Sequence, residues 1–113
     1  MTNTDKTSLG LELRRGAIVL GSLSRLQEEH YGYSLREDLA AMGLEVNEGT
    51  LYPLLRRLES QGLLQSRWEV GEGRPRRYYR ISPRGKRVLE ATTVEWNALV
   101  GAMTRVLEDR GTS

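Results

Sequence analysis

The chemistry most strongly represented in this chain is that of the guanidinium group. Residues 67–87 contain Arg67, Arg74, Arg76, Arg77, Arg80, Arg84, Lys86 and Arg87 against only Glu69 and Glu72, a local charge of +6. The segments on either side, 1–66 and 88–113, each carry −2, so the whole 113-residue chain has a net charge of only +2. A basic block on a near-neutral protein is the footprint of an element that meets phosphate. At its centre, Gly73-Arg74-Pro75-Arg76-Arg77 is a turn with three cations, suited to following a phosphate backbone or entering a narrow minor groove. Upstream, Thr50, Tyr52 and Arg56 offer a hydroxyl, a phenol and a fork of donors at helical spacing, able to meet phosphate or a base edge. Tyr33 and Ser34 are further phosphate candidates, although packing and capping also account for them. Other chemistries lack their residues. There is no Cys and a single His, which excludes disulfides, thiol nucleophiles and multi-histidine metal sites. No nucleophile–base pair or phosphate loop appears, so the chain does not read as an enzyme. His30 reads as a helix-terminal residue balancing the dipole, and Glu28-Glu29 and Glu37-Asp38 as solvated faces.

The elements that must position these groups follow from hydrophobic periodicity. The first helix starts near Leu13, with Ala17, Ile18, Leu20, Leu23 and Leu26 as its stripe. Glu28 to Tyr31 closes it, and Gly32 supplies a left-handed cap. Ser34-Leu35-Arg36-Glu37 has the form of a capping box, opening a second helix with Leu35, Leu39 and Met42 inward and Gly43 as its stop. Asn47 caps a third helix and stands among the DNA-facing candidates at its start. Leu51, Leu54, Leu55 and Leu58 form the apolar face of that helix, Pro53 introduces a small kink, and Gly62 ends it. The period then changes to two. Leu64, Trp68 and Val70 share the buried face of one strand, and Tyr79 and Ile81 that of a return strand, a hairpin joined by Gly71–Pro75. Ser82-Pro83 opens a last helix running to about Asp109.

Three helices and a two-stranded hairpin, in that order, define a winged helix. The expected fold is therefore mainly α, with a β-hairpin wing and a long C-terminal dimerisation helix. The expected divisions are a flexible tail (1–10), a winged-helix DNA-binding domain (11–82) and the last helix (83–110). The third helix is then the DNA-reading element. On the last helix, Leu89, Trp96 and Met103 are seven apart, as are Thr92, Leu99 and Val106. These are the two positions of a heptad seam, which predicts a homodimer. Trp96, with Leu99 and Met103, also offers a flat face for a planar aromatic or phenolic effector between subunits.

The segments His30-Tyr31-Gly32-Tyr33, Gly49-Thr50-Leu51-Tyr52-Pro53-Leu54-Leu55-Arg56-Arg57-Leu58-Glu59, Gly62-Leu63-Leu64 and Arg77-Tyr78-Tyr79-Arg80-Ile81-Ser82-Pro83-Arg84-Gly85 resemble the PadR family of bacterial transcriptional regulators. The resemblance spans about Leu13 to Leu107. It implies a winged-helix homodimer that regulates, typically represses, transcription. The single C-terminal helix is similar to that of the short subfamily, some of whose members sense drugs or phenolic compounds. The expected function is a cytoplasmic, sequence-specific repressor on a palindromic operator in double-stranded DNA, with no cofactor and no membrane contact. The alternative is a winged-helix interaction module whose wing binds an acidic partner. Mean hydropathy of −0.52, 38% hydrophobic and 28% charged residues, and no long apolar run fit a water-soluble chain.

Overall fold

The computed structural model describes residues 3–109. Its elements run α1 (Asn3–Arg25), β1 (His30–Tyr31), α2 (Gly32–Ala41), α3 (Glu48–Ser60), β2 (Leu64–Glu69), β3 (Arg76–Ile81) and α4 (Pro83–Glu108). This is the winged-helix order with one addition, the short strand β1. The three strands form an antiparallel sheet in the order β1-β3-β2. β2 and β3 pair from Leu64↔Ile81 to Glu69↔Arg76. β1 adds His30↔Tyr79 and Tyr31↔Tyr78 on the other edge of β3.

One core holds the head of the molecule together. Leu35 and Leu39 of α2, Leu51, Leu54, Leu55 and Leu58 of α3, and Ile18 and Leu23 of α1 pack with Leu26, Leu63, Leu64, Tyr79, Ile81 and Leu89. The helix stops fall where their glycines stand. Gly43 (φ +93°) and Gly62 (φ +79°) adopt the left-handed conformation that side chains resist. Each is followed by an amide that reaches back into the helix, Leu44 N–H to Leu39 and Leu63 N–H to Leu58, both at 2.9 Å. At the start of α3, Asn47 caps as expected, its side chain accepting the Thr50 amide at 2.8 Å. Ser82 caps α4 by accepting the Gly85 amide at 2.9 Å. Pro53 stands inside α3, which continues to Ser60.

Several expectations are corrected. α1 begins at Asn3 rather than after a tail of ten residues. Its first half has no proline, and a helix anchored at one end propagates outward at little cost per residue. Met1 and Thr2 lie outside the described residues, as does Arg110 at the other end. Leu13 is exposed, so the core stripe of α1 starts at Ile18. α1 ends at Arg25, and His30-Tyr31 leaves the helix because it has a sheet edge to complete. Gly32 is accordingly not a left-handed cap. It opens α2, and it is glycine because a Cβ there would stand 2.5 Å from the Tyr52 ring. The capping box does not form, because α2 starts two residues before Ser34. Ser34 Oγ donates instead to the Tyr31 carbonyl (3.0 Å), and Glu37 accepts from the Tyr33 phenol (2.8 Å). Met42 is the C-cap residue and exposed. Trp68 and Val70 are 61% and 77% exposed, although Leu64 on the same alternation is buried. The hairpin projects past the body after Ser66, so its outer half has no layer to bury against.

Candidate nucleic-acid interface

At 100° per residue, α3 divides cleanly. Its leucines face the core. Gly49, Pro53, Arg56 and Ser60 form an exposed crest opposite them. Thr50 and Arg57 lie on one flank, both exposed, and Glu48, Tyr52 and Glu59 lie on the flank that faces the wing. Thr50 is therefore separated from Tyr52, with Arg56 between them on the crest. Arg57 shares the flank of Thr50 seven residues on, as a further exposed cation.

Between α3 and the wing runs a half-open cleft of about 1080 Å³. Glu48, Tyr52 and Arg56 line it from α3, Tyr31 and Tyr33 from the β1–α2 junction, and Trp68 and Gly71–Tyr79 from the hairpin. Of the expected site residues, the cleft unites Tyr33, Tyr52, Arg56, Gly73, Arg74, Arg76 and Arg77. Ser34, Asn47 and Thr50 do not line it. Ser34 lies 3.0 Å from His30 Nδ1 within a local network, and Asn47 is held by its capping bond. Gly73 has φ +95°, so the tip turn depends on a residue without a side chain.

The arginines differ sharply in availability. Arg67 is engaged by Glu29 through two bonds (2.8 and 2.7 Å) and approaches Glu69 at 3.3 Å. Hydrogen bonds from Arg67 hold the Glu29 carboxyl below its ordinary range. Arg77 donates to Glu59 at 2.7 Å and to Ser66 Oγ at 3.1 Å. Arg76 lies 4.4 Å over the Tyr31 ring, a cation–π contact that leaves its donors exposed. Arg56 and Arg74 have no carboxylate partner among the described residues. Arg67 and Arg77 of the +6 block are thus held by carboxylates, whereas Arg74 at the wing tip and Arg56, outside the block on the crest of α3, are not. Around Arg76, Tyr31 packs edge-on against Tyr78 (5.4 Å) and parallel to Tyr33 (6.5 Å). Burial pushes the Tyr52 phenol above its ordinary pKa, and nearby Glu48 adds to this, so it stays a hydrogen-bond donor at neutral pH.

The expected seam on α4 is corrected at its first position. Leu89 is buried in the core of its own chain. Thr92 is half-buried. Beyond it, Trp96, Leu99, Val100, Met103, Val106 and Leu107 share one exposed face. A radius of gyration of 16.8 Å, against roughly 13 Å for a compact domain of this length, reflects the extended helices.

Among the described residues no helix is long and apolar enough to cross a membrane, and no cluster of acidic or histidine side chains could hold a metal. Residues 19–91 match the Transcriptional regulator PadR-like family. The chain belongs to the PadR family. It is 43% identical over 79 residues to transcriptional regulator Rv3488 of Mycobacterium tuberculosis, a match covering 69% of this chain and 74% of that protein. Its fold superposes on a PadR family transcriptional regulator from Eggerthella lenta with a TM-score of 0.86 and 45% identity, covering 96% of each chain. A PadR-like transcriptional regulator from Bacillus cereus gives a TM-score of 0.76 at 28% identity, covering 88% and 99%. This PadR chain is therefore a transcriptional regulator on a winged-helix fold; its relatives are regulators and not enzymes.

Proposed function

We propose that this PadR regulator is a cytoplasmic homodimeric repressor that reads a two-fold symmetric operator in double-stranded DNA. The observation that carries the reading is the placement of two unpaired guanidinium groups, Arg56 on the exposed crest of α3 and Arg74 at the wing tip, on the two walls of one cleft. The crest of α3 enters the major groove, where Arg56 and Arg57 meet guanine or phosphate and Thr50 a base edge or phosphate. The wing follows the backbone with Arg74 and Arg76, the Tyr52 phenol donates to phosphate, and the Tyr33 phenol does so on leaving Glu37.

The exposed apolar stripe of α4 supports dimerisation. A second copy placing its α4 against Trp96, Leu99, Met103 and Val106 buries a surface that is a liability in water. Exposed Leu9 and Leu13, four apart on α1, are available to widen that contact. Two reading helices related by a two-fold axis require half-sites about 10 bp apart. Trp96, 40% exposed, also supports an effector site between subunits for a planar aromatic or phenolic ligand, through which the spacing of the reading helices changes. Such coupling is typically about 1–3 kcal/mol.

Selection of bound sequences from random duplex DNA tests the reading. A palindromic motif is expected, with Arg56→Ala weakening binding and relaxing specificity. Arg74→Ala and Arg76→Ala should weaken all sequences alike and lower the salt slope by about one per lost phosphate contact. If none of these changes alters DNA affinity, the wing serves an acidic protein partner instead. Because Trp68 is more exposed than Trp96, effector quenching is read in a Trp68→Phe background, where Trp96→Ala must abolish it.

A further inference from the structure

Three groups from three elements converge at the root of the wing. Glu59, on the wing-facing flank of α3, accepts from Arg77 Nη2 of β3 through one carboxylate oxygen at 2.7 Å. Its other oxygen accepts from Ser66 Oγ of β2 at 2.5 Å. Arg77 Nε donates to the same Ser66 oxygen at 3.1 Å, closing the ring of contacts. The Arg77 guanidinium carbon is 5.6 Å from the ring centroids of both Trp68 and Tyr79, which confine it. The pair is partly shielded, with side-chain exposures of 34% for Arg77 and 27% for Glu59. This one carboxylate therefore ties both strands of the hairpin to the reading helix.

Beyond the short β1 pairing at Tyr78 and Tyr79 the wing is a two-stranded hairpin, which on its own is marginally stable. Here its outer half has nothing beneath it, since Trp68 and every residue from Glu69 to Arg76 is exposed. Its direction must be set at the root. From Ser66 to the turn the wing extends five residues, roughly 17 Å at 3.3 Å per residue. A 10° pivot at the root would move the tip by roughly 3 Å, the length of a hydrogen bond. Arg67 bonded to Glu29 braces the hairpin from the α1–β1 turn; beyond the shared apolar core, Glu59 is the α3 side chain that, among the described residues, hydrogen-bonds both strands.

We propose that Glu59 is a positioning residue for operator binding. It holds the wing at a fixed angle to the reading helix, so that Arg74 and Arg76 reach phosphate when α3 is seated in the groove. Arg77, although part of the basic block, acts through this tie and not on DNA. The inference rests on the DNA-binding reading above.

The test is a thermodynamic cycle on the full-length protein and its selected operator, read by fluorescence anisotropy across a salt series. Glu59→Gln keeps the side chain's size and removes its charge. It should weaken operator binding by about tenfold and lower the salt slope by at least one, with the selected motif unchanged. In a protein already carrying Arg74→Ala and Arg76→Ala, the same change should have less than a twofold effect, because its consequence is delivered through those two arginines. Ser66→Ala, which removes one leg of the tie without altering charge, should give a smaller loss of the same kind. Additive losses in the cycle, or a tenfold loss with an unchanged salt slope, would overturn the proposal while leaving DNA binding intact. A wild-type protein that selects no sequence would overturn the functional reading itself.

Discussion

Adding a single methyl group at Gly85 should separate the last helix from the head of the molecule. A Cβ at this position would overlap the Leu63 carbonyl oxygen and lie 2.7 Å from Ile81 Cγ1 and 3.1 Å from the Leu63 carbonyl carbon. The obstruction is mainly backbone, so no side chain can swing aside. Relief requires α4 to lift, and the lift acts on bonds at the same point. Leu63 O accepts from the Ser82 amide at 3.0 Å, and Ser82 Oγ donates to Gly62 O at 2.6 Å while capping Gly85. Overpacking against fixed atoms costs about 1–3 kcal/mol. Losing the cap costs about 1 kcal/mol, and the Ser82–Leu63 bond about 1 kcal/mol more. Alanine's better helix propensity returns about 1 kcal/mol. The net expectation for Gly85→Ala is a loss of about 2–4 kcal/mol, a large share of the stability of a small domain. Urea denaturation monitored by circular dichroism should show a lower midpoint with a similar slope. Thermal melting should fall by roughly 8–16 °C. A variant as stable as the parent would refute the packing argument, since propensity alone would then have decided the outcome.

Three further outcomes follow from the geometry. Leu99→Glu with Met103→Glu should convert a dimer into a monomer by sedimentation at micromolar concentration; an unchanged dimer would place the association surface elsewhere. Gly32→Ala should displace the Tyr52 ring and cost about 1–3 kcal/mol by overpacking, with weaker operator binding measured beside it; unchanged affinity would remove Tyr52 from the interface. The Asp38 carboxyl is held low by its hydrogen bond from Arg25, and Glu29 by Arg67. With folded pKa values below the unfolded ones, their stabilisation is present above about pH 4 and lost as pH falls through the folded values. Urea midpoints should therefore drop between pH 6 and pH 3, and Asp38→Asn with Glu29→Gln should flatten that drop; an unaltered slope would contradict it.

Where a residue's role is set by its immediate neighbours in sequence, it was legible. Asn47, Ser82-Pro83, Gly43 and Gly62 do what their types and positions indicate, because caps and left-handed stops are local geometry. The α3 leucines were equally readable, as one stripe of a helix with a single core to face. Roles set by distant partners were not. His30-Tyr31 has no alternation long enough to mark a strand; it pairs because β3, nearly fifty residues on, presents an edge. Ser34 lost its capping role to that same event. Trp68 alternates correctly with Leu64 but lies beyond the reach of the body. Arg67 and Arg77 look identical in sequence to Arg74 and Arg76, and only folding brings Glu29 and Glu59 to the first pair. Of the cleft, Tyr33, Tyr52, Arg56 and the tip arginines are legible in the sequence, whereas Tyr31 and Tyr78 depend on long-range strand pairing.

The central position of β3 has a consequence for how the chain is made. Its outer neighbours are β1, which emerges early in synthesis, and β2, which immediately precedes it. The Ile81 amide also bonds the Leu26 carbonyl at 2.8 Å. A nascent chain truncated before residue 76 lacks the strand that joins its two ends, so the head cannot close until Ile81 has left the ribosome. The exposed apolar stripe of α4, from Trp96 onward, emerges after that point. A folded head is thus available before the surface proposed to pair two copies, and the apolar helix enters solution attached to a folded domain.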